Sequence, residues 1–218
     1  MNPNDVDNNA RSRLALALDV DDLVEAGRLG RKMLPWFSVA KVGLELFSAS
    51  GPEAVGAFVD QGYEVFLDLK LHDIPTTVGK ASRVLGSLGV SYVTVHSSGG
   101  VDMLAAAVDG LNEGASAAGL IPPMVLAVTV LTSDLEAPES LLQERLGYAI
   151  EADCGGVVCA ASDLQKVSST APELLSVVPG IRPEGVAAND QGRPATPREA
   201  IKEGAGLLVI GRAVTSSS

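Results

Sequence analysis

Cysteine is nearly absent. Only Cys154 and Cys159 occur in the 218 residues, in or beside an apolar run and without metal-ligand spacing. They read as reduced core residues, which excludes a disulfide scaffold and suits a cytosolic compartment. Aromatic residues are also scarce, 4% against 46% hydrophobic residues in all. That balance excludes a disordered chain and favours an aliphatic α/β core over an aromatic-rich β-sandwich. Basic residues fall short of acidic ones, 16 against 27, for a formal charge of -11. A non-specific grip on nucleic acid depends on cations neutralising phosphates, so that class is excluded. A single small phosphate can still be held by a few placed cations. No apolar run approaches the roughly 18 residues needed to span a membrane. The opening stretch MNPNDVDNNARS is polar and lacks the apolar core of a signal peptide. It reads as an extension, residues 1–12, ahead of a single domain, residues 13–218, in a soluble cytoplasmic protein.

What the chain does have is alternation. β-rich runs recur as RLALALD (13–19), FSVAKVG (37–43), EVFLDLK (64–70), SYVTVH (91–96), MVLAVTVL (124–131), GGVVCA (155–160), LLSVVPG (174–180) and GLLVIG (206–211). Segments with helical spacing lie between most of them. Leu23, Ala26, Leu29 and Met33 recur at threes and fours until Pro35 stops the turn, and Val78, Ala81, Leu85 and Leu88 do so before Gly89, which suits a left-handed cap. Ser50 with Glu53 and Thr196 with Glu199 have capping-box spacing, and Pro197 takes the favoured first helical position. Strands this uniformly aliphatic are buried on both faces, as parallel strands are. Eight of them, with no linker between, predict a closed (β/α)8 barrel of the TIM type ahead of the alternative, an open doubly wound sheet. One feature departs from that plan. After the eighth strand only Arg212–Ser218 remain, too few for an eighth outer helix, which is therefore missing or truncated. Apolar surface on strand eight is expected to be exposed, or covered by another element or subunit.

In such barrels the active site lies at the C-terminal ends of the strands. Those ends carry Asp19, Lys41, Asp68 with Lys70, His96, Thr132, Arg182 and Gly211 with Arg212. One charged residue after a strand is usually a solvated loop residue; several converging on one mouth are not. Asp68 and Lys70 are two apart on a strand and so share a face, with Leu67, Leu69 and Leu71 on the other. A charged pair facing a barrel interior is costly unless compensated. Lys41 and Asp73 supply the compensation, giving an alternating array of Lys41, Asp68, Lys70 and Asp73. Residues 181–194, IRPEGVAANDQGRP, form a polar loop after strand seven, of the length that lids have. Loops after strands seven and eight of these barrels commonly hold phosphate. No metal-ligand cluster stands out.

Several strings resemble orotidine 5'-phosphate decarboxylases, in order and over most of the chain. They are LALD (16–19), KVGLELF (41–47), FLDLKLHDIPTTV (66–78), TVLTS (129–133), VPGIRPEG (178–185), DQGR (190–193) and VIGRAVT (209–215). The D-x-K-x-x-D spacing is shared by several barrel decarboxylases; the longer string is far more specific. The resemblance implies conversion of orotidine 5'-phosphate to uridine 5'-phosphate in pyrimidine biosynthesis, without metal or cofactor. It implies Lys70 as proton donor to the pyrimidine carbon and Asp68 against the departing carboxylate. Asp19 and Lys41 would hold the ribose hydroxyls, and Thr132 would contact the base. Arg182, Gln191, Gly211 and Arg212 would line the base-to-phosphate end. Asp73 and Thr77 would reach across a homodimer interface into the partner's site.

Other residues have plainer readings. His72 is expected to hydrogen-bond structurally and Trp36 to pack at a helix-to-strand junction; His96 ends strand four, with a place at the rim of the site as its minority reading. Two alternatives differ in class or chemistry. A sugar-phosphate decarboxylase or epimerase on the same barrel would need a divalent metal. A catalytically dead nucleotide-binding barrel would lack turnover altogether.

Overall fold

The structure is a computed structural model that describes residues 7–131, 134, 137–182 and 195–215. A short α1 (Asn8–Arg11) leads into β1 (Leu14–Leu18), α2 (Leu23–Met33), β2 (Val39–Gly43), α3 (Leu44–Ser50), α4 (Pro52–Val59) and β3 (Glu64–Leu71). Then come α5 (Pro75–Gly86), β4 (Tyr92–His96), α6 (Gly100–Ala118), β5 (Met124–Val128), α7 (Glu139–Glu151) and β6 (Gly156–Val158). The last elements are α8 (Leu164–Thr170), β7 (Leu175–Val178), α9 (Pro197–Lys202), β8 (Leu207–Ile210) and α10 (Arg212–Thr215). The strands run parallel in chain order and close into a barrel, β8 joining β1 through Leu14–Leu208, Ala15–Val209 and Leu16–Ile210.

Strand alternation divides the core in two. Leu16, Leu18, Val42, Leu67, Val93 and Val95 point outward to the helices, in one buried cluster with Phe58, Met103, Leu111 and Leu146. Ala15, Ala17, Val39, Phe66, Leu126, Val177, Leu207 and Val209 fill the barrel interior. The inward faces end in chemistry. Two residues beyond Ala17, Val39, Phe66 and Val209 stand Asp19, Lys41, Asp68 and Gly211, so the polar layer continues the same period.

Local signals act as their chemistry dictates, with one exception. Asp22 caps α2 by accepting from the Glu25 amide at 2.7 Å. Thr196 and Glu199 form the full capping box at α9, with Pro197 in the first turn. Ser50, in contrast, is the last residue of α3. Gly51 opens α4 at φ +56°, without a side-chain cap, and Pro52 follows. A glycine in that conformation breaks the chain sharply between two helices, leaving the serine outside the start. Gly89 has φ +79°, three residues after α5 ends.

Of the two outcomes expected for strand eight, exposure or cover by another element, the second holds among the described residues. All four β8 residues are buried, none above 8% exposed. Ala213 and Val214 of the short α10 pack on the core from one end. At the other end Arg13 reaches across, donating to the carbonyls of Ala205 and Gly206. An open groove does remain beside β8, walled in part by Ala10, Leu14, Ile201 and Leu208. Among the described residues no helix is long and apolar enough to cross a membrane.

Candidate active site

Lys41, on the inward face of β2, is only 8% exposed. Its ammonium lies 3.2 Å from Asp19 Oδ1 and 3.6 Å from Asp68 Oδ2. The last residue of the strand is a glycine, and a Cβ on Gly43 would stand 2.9 Å from Lys41 Nζ. Small size there is what lets the ammonium settle between its two carboxylates. On β3, Lys70 Nζ donates to Asp68 Oδ1 at 2.8 Å. The chain thus builds an alternating row, Asp19–Lys41–Asp68–Lys70, along the C-terminal mouth.

Asp68 is its centre. Burial on its own would raise the Asp68 pKa. The charges of Lys41 and Lys70, with hydrogen bonds from Lys70 and Thr94, outweigh that and hold the carboxyl below its ordinary range. It is an anion at neutral pH, fixed on both oxygens.

A cavity of about 200 Å³ opens beside this row. Its lining includes Asp19, Lys41, Asp68 and Lys70 of the row, with Gly180, Arg182, Gly211 and Arg212 from the ends of β7 and β8. Phe66 is part of the lining and almost fully buried. Arg182 is 6% exposed; its Nη1 donates to the Ile181 carbonyl at 2.9 Å and its Nε has no partner among the described residues. The Arg182 amide donates to the Ala195 carbonyl at 2.9 Å, which ties the two ends of the intervening segment together. Thr132, Gln191 and most of the loop at 181–194 lie outside the described residues.

Not every expected member joins the row. Asp73 is exposed, and its Oδ1 accepts from the neighbouring Ile74 amide at 2.7 Å. No ion pair of Asp73 is found among the described residues, and the fourth member within one chain is Asp19 instead. The reason is local: β3 ends at Leu71, so Asp73 is carried past the inward face. Thr77 is likewise exposed, in the first turn of α5. His72 is also exposed, its ring 5.5 Å from that of His96. Burial, joined by His72, Lys70 and Arg145, lowers the His96 pKa, against a weaker opposite pull from Asp68. Trp36 packs on the core at the helix-to-strand junction.

One residue of the site has no signature in the sequence. Thr94, buried in β4, donates its hydroxyl to Asp68 Oδ1 at 2.9 Å and accepts from the Lys70 amide at 2.8 Å. A threonine between Val93 and Val95 fits a strand on propensity alone, and only the strand pairing reveals its partners.

Fold and site together define a class: a (β/α)8-barrel enzyme with a fixed row of ammonium and carboxylate groups at the C-terminal mouth. Residues 12–218 match the orotidine 5'-phosphate decarboxylase / HUMPS family, and the chain belongs to it. The chain is 42% identical to an orotidine 5'-phosphate decarboxylase of Moorella thermoacetica, over 96% of this chain and 88% of that protein. It is 45% identical to one of Lactiplantibacillus plantarum, over 82% and 80%. The crystal structure of orotidine 5'-phosphate decarboxylase from Lactobacillus acidophilus superposes with a TM-score of 0.77 at 34% identity, covering 94% of this chain and 92% of that one.

Proposed function

We propose that the chain decarboxylates orotidine 5'-phosphate to uridine 5'-phosphate, a step of pyrimidine biosynthesis. The observation that carries this reading is that the Asp19–Lys41–Asp68–Lys70 row and the two arginines Arg182 and Arg212 line one cavity. The substrate has a carboxylate at one end and a phosphate at the other, with a ribose between.

The chemistry needs an anion stabilised without delocalisation. When the bond from the ring carbon to the carboxylate breaks, the electron pair stays on that carbon, in the ring plane and out of reach of the π-system. Lys70 is a cation held at fixed geometry by Asp68 and stabilises the developing charge electrostatically. It then gives its proton to the same carbon, and carbon dioxide leaves. Asp68 stands against the departing carboxylate, and Lys41 with Asp19 binds the ribose hydroxyls. Gly211 and Arg212 take the phosphate and Arg182 lines the same cavity; Gln191 and Thr132, outside the described residues, keep the roles toward phosphate and base that the resemblance implies. Asp73 and Thr77 belong to the neighbouring site of a homodimer. The exposure of Asp73, and of Ile74 beside it at 65%, supports that assignment.

The direct experiment follows the absorbance of orotidylate on addition of the protein, with excess chelator present. Conversion to uridylate at an undiminished rate is the expected result. Absence of turnover, or turnover only after a divalent metal is returned, would overturn the reading.

A further inference from the structure

Strand β3 breaks the regular pairing of the barrel at one place. Phe66 pairs with Tyr92 and Leu67 with Val93, but the next pair is Leu71 with Val95. Asp68, Leu69 and Lys70 therefore all stand against a single residue of β4, Thr94. This is a β-bulge, which re-aims side chains at the cost of ladder hydrogen bonds. Lys70 absorbs the distortion: its φ is +50°, in a region that residues with a Cβ seldom adopt.

Thr94 replaces what the ladder loses. The Lys70 amide, turned off the strand pairing, donates to Thr94 Oγ1 at 2.8 Å. The hydroxyl proton goes to Asp68 Oδ1 at 2.9 Å. The same carboxylate oxygen accepts from Lys70 Nζ at 2.8 Å. An ionised carboxylate only accepts and an amide only donates, so the order amide to hydroxyl to carboxylate is the one these groups allow. The result is a closed ring through the backbone and side chain of Lys70. Thr94 is 1% exposed and does not line the cavity.

We propose that Thr94 is a positioning residue. Its hydroxyl locks the strained backbone of Lys70 to the carboxylate of Asp68, and so sets where the ammonium points. Resting as it does on the proposed decarboxylation, this role makes Thr94 act through Lys70 and Asp68 and not on the substrate. Removing the hydroxyl leaves the amide unpaired beside a bulge that can relax. A displacement on the order of 1 Å at a reacting group lowers rates by about 100-fold.

The test compares Thr94→Val, which keeps the shape and loses the hydroxyl, with Thr94→Ser, which keeps the hydroxyl. Thermal melts and steady-state kinetics on orotidylate are run alongside the parent. The valine variant is expected to lose about 100-fold in kcat with KM within about threefold, because the ribose and phosphate contacts are untouched. The serine variant is expected to stay within about threefold of the parent. The pH profile supplies a readout that a purely structural role would leave alone. Asp68 faces Lys41 from β2, Lys70 on its own strand and Thr94 from β4. Without the Thr94 hydrogen bond its carboxyl titrates higher, so the acid limb of kcat/KM should move up in the valine variant only. If valine melts without cooperativity, Thr94→Ala takes its place under the same criteria. A folded hydroxyl-free variant within threefold of parent kcat, a change confined to KM, or a serine variant as slow as valine would each overturn the role. A parent protein that leaves orotidylate unchanged would instead overturn the functional reading, and this role with it.

Discussion

Asp68 stands between two ammonium groups, and the loss of either has a different consequence. Lys41 is wedged between Asp19 and Asp68 and is almost fully buried. Among the described residues the Lys70 ammonium pairs with Asp68 alone, and a third of its side chain is exposed where it lines the cavity. The exposed one is free to act on a substrate. Lys70→Ala should therefore fold, since Asp68 keeps Lys41 and Thr94, while kcat falls by about a thousandfold or more for want of both electrostatic stabiliser and acid. Turnover within tenfold of the parent would remove Lys70 from the mechanism. Arg212 should behave in another way. On the proposed function Arg212→Ala would remove a charge-assisted contact to phosphate, and because Arg212 is an exposed residue the loss is set at about 1.5–3 kcal/mol in kcat/KM. Orotidine, which has no phosphate, should be processed equally by parent and variant. An equal loss on both substrates would show that Arg212 serves something other than phosphate. The convergence of Asp19, Lys41, Asp68 and Lys70 was legible in the chain, because each follows an aliphatic run at the end of a strand. The bulge was not. Simple alternation put Lys70 on the face of Asp68 but concealed the +50° φ and the Thr94 hydroxyl that sustains it.

Helices α5 and α6 show what elements contribute around this site. They pack backbone to backbone through glycines. A Cβ on Gly114 would land on the Arg83 carbonyl, one on Gly110 on the Gly79 carbonyl, and one on Gly86 on the Leu111 carbonyl. Since α5 begins directly after Asp73 and Ile74, its seating fixes where those residues project. Gly114→Ala must push the helices apart and should destabilise the fold by about 1–3 kcal/mol, lowering Tm by roughly 3–10 °C. Gly147 on α7 is the control, with nothing within 4 Å of its notional Cβ. Gly147→Ala should stabilise by up to about 1 kcal/mol on helix propensity alone. Equal melts for the two variants would contradict the close approach. Periodicity located the strands and the helices α2 and α5 within a few residues, because burial on one face or two leaves a repeat in the residue types. It could not show which glycines mark helix crossings. Nor could it tell the Ser50–Glu53 spacing, where Gly51 intervenes, from the working cap at Thr196 and Glu199.

At the scale of the whole molecule, a chain of charge -11 has to attract an anionic substrate. The cavity wall answers this locally, with Lys41, Lys70, Arg182 and Arg212 against Asp19 and Asp68. A local excess of positive charge in a concave, partly apolar site focuses the field on an incoming phosphate even when the surface as a whole repels it. The single chain nevertheless leaves the row unfinished beyond Lys70. Among the described residues Lys70 has no second carboxylate partner, while Asp73, two residues past the end of β3, is exposed and accepts from the amide of its own neighbour Ile74. The proposed homodimer would resolve both facts at once, since a twofold axis that brings Asp73 of the partner subunit to Lys70 necessarily does the same in reverse. Asp73→Asn and Lys70→Ala homodimers should then each be nearly inactive. Mixing the chains under exchange conditions places an intact Lys70 opposite an intact Asp73 in one of the two sites of every heterodimer. Half the dimers in an equal mixture are heterodimers and half their sites are whole, so roughly a quarter of parent activity should return. Recovery should follow the fraction of heterodimer measured by native mass spectrometry. Verified heterodimers with no more activity than the parent variants would mean that each chain completes its own site, and that Asp73 acts, if at all, from within.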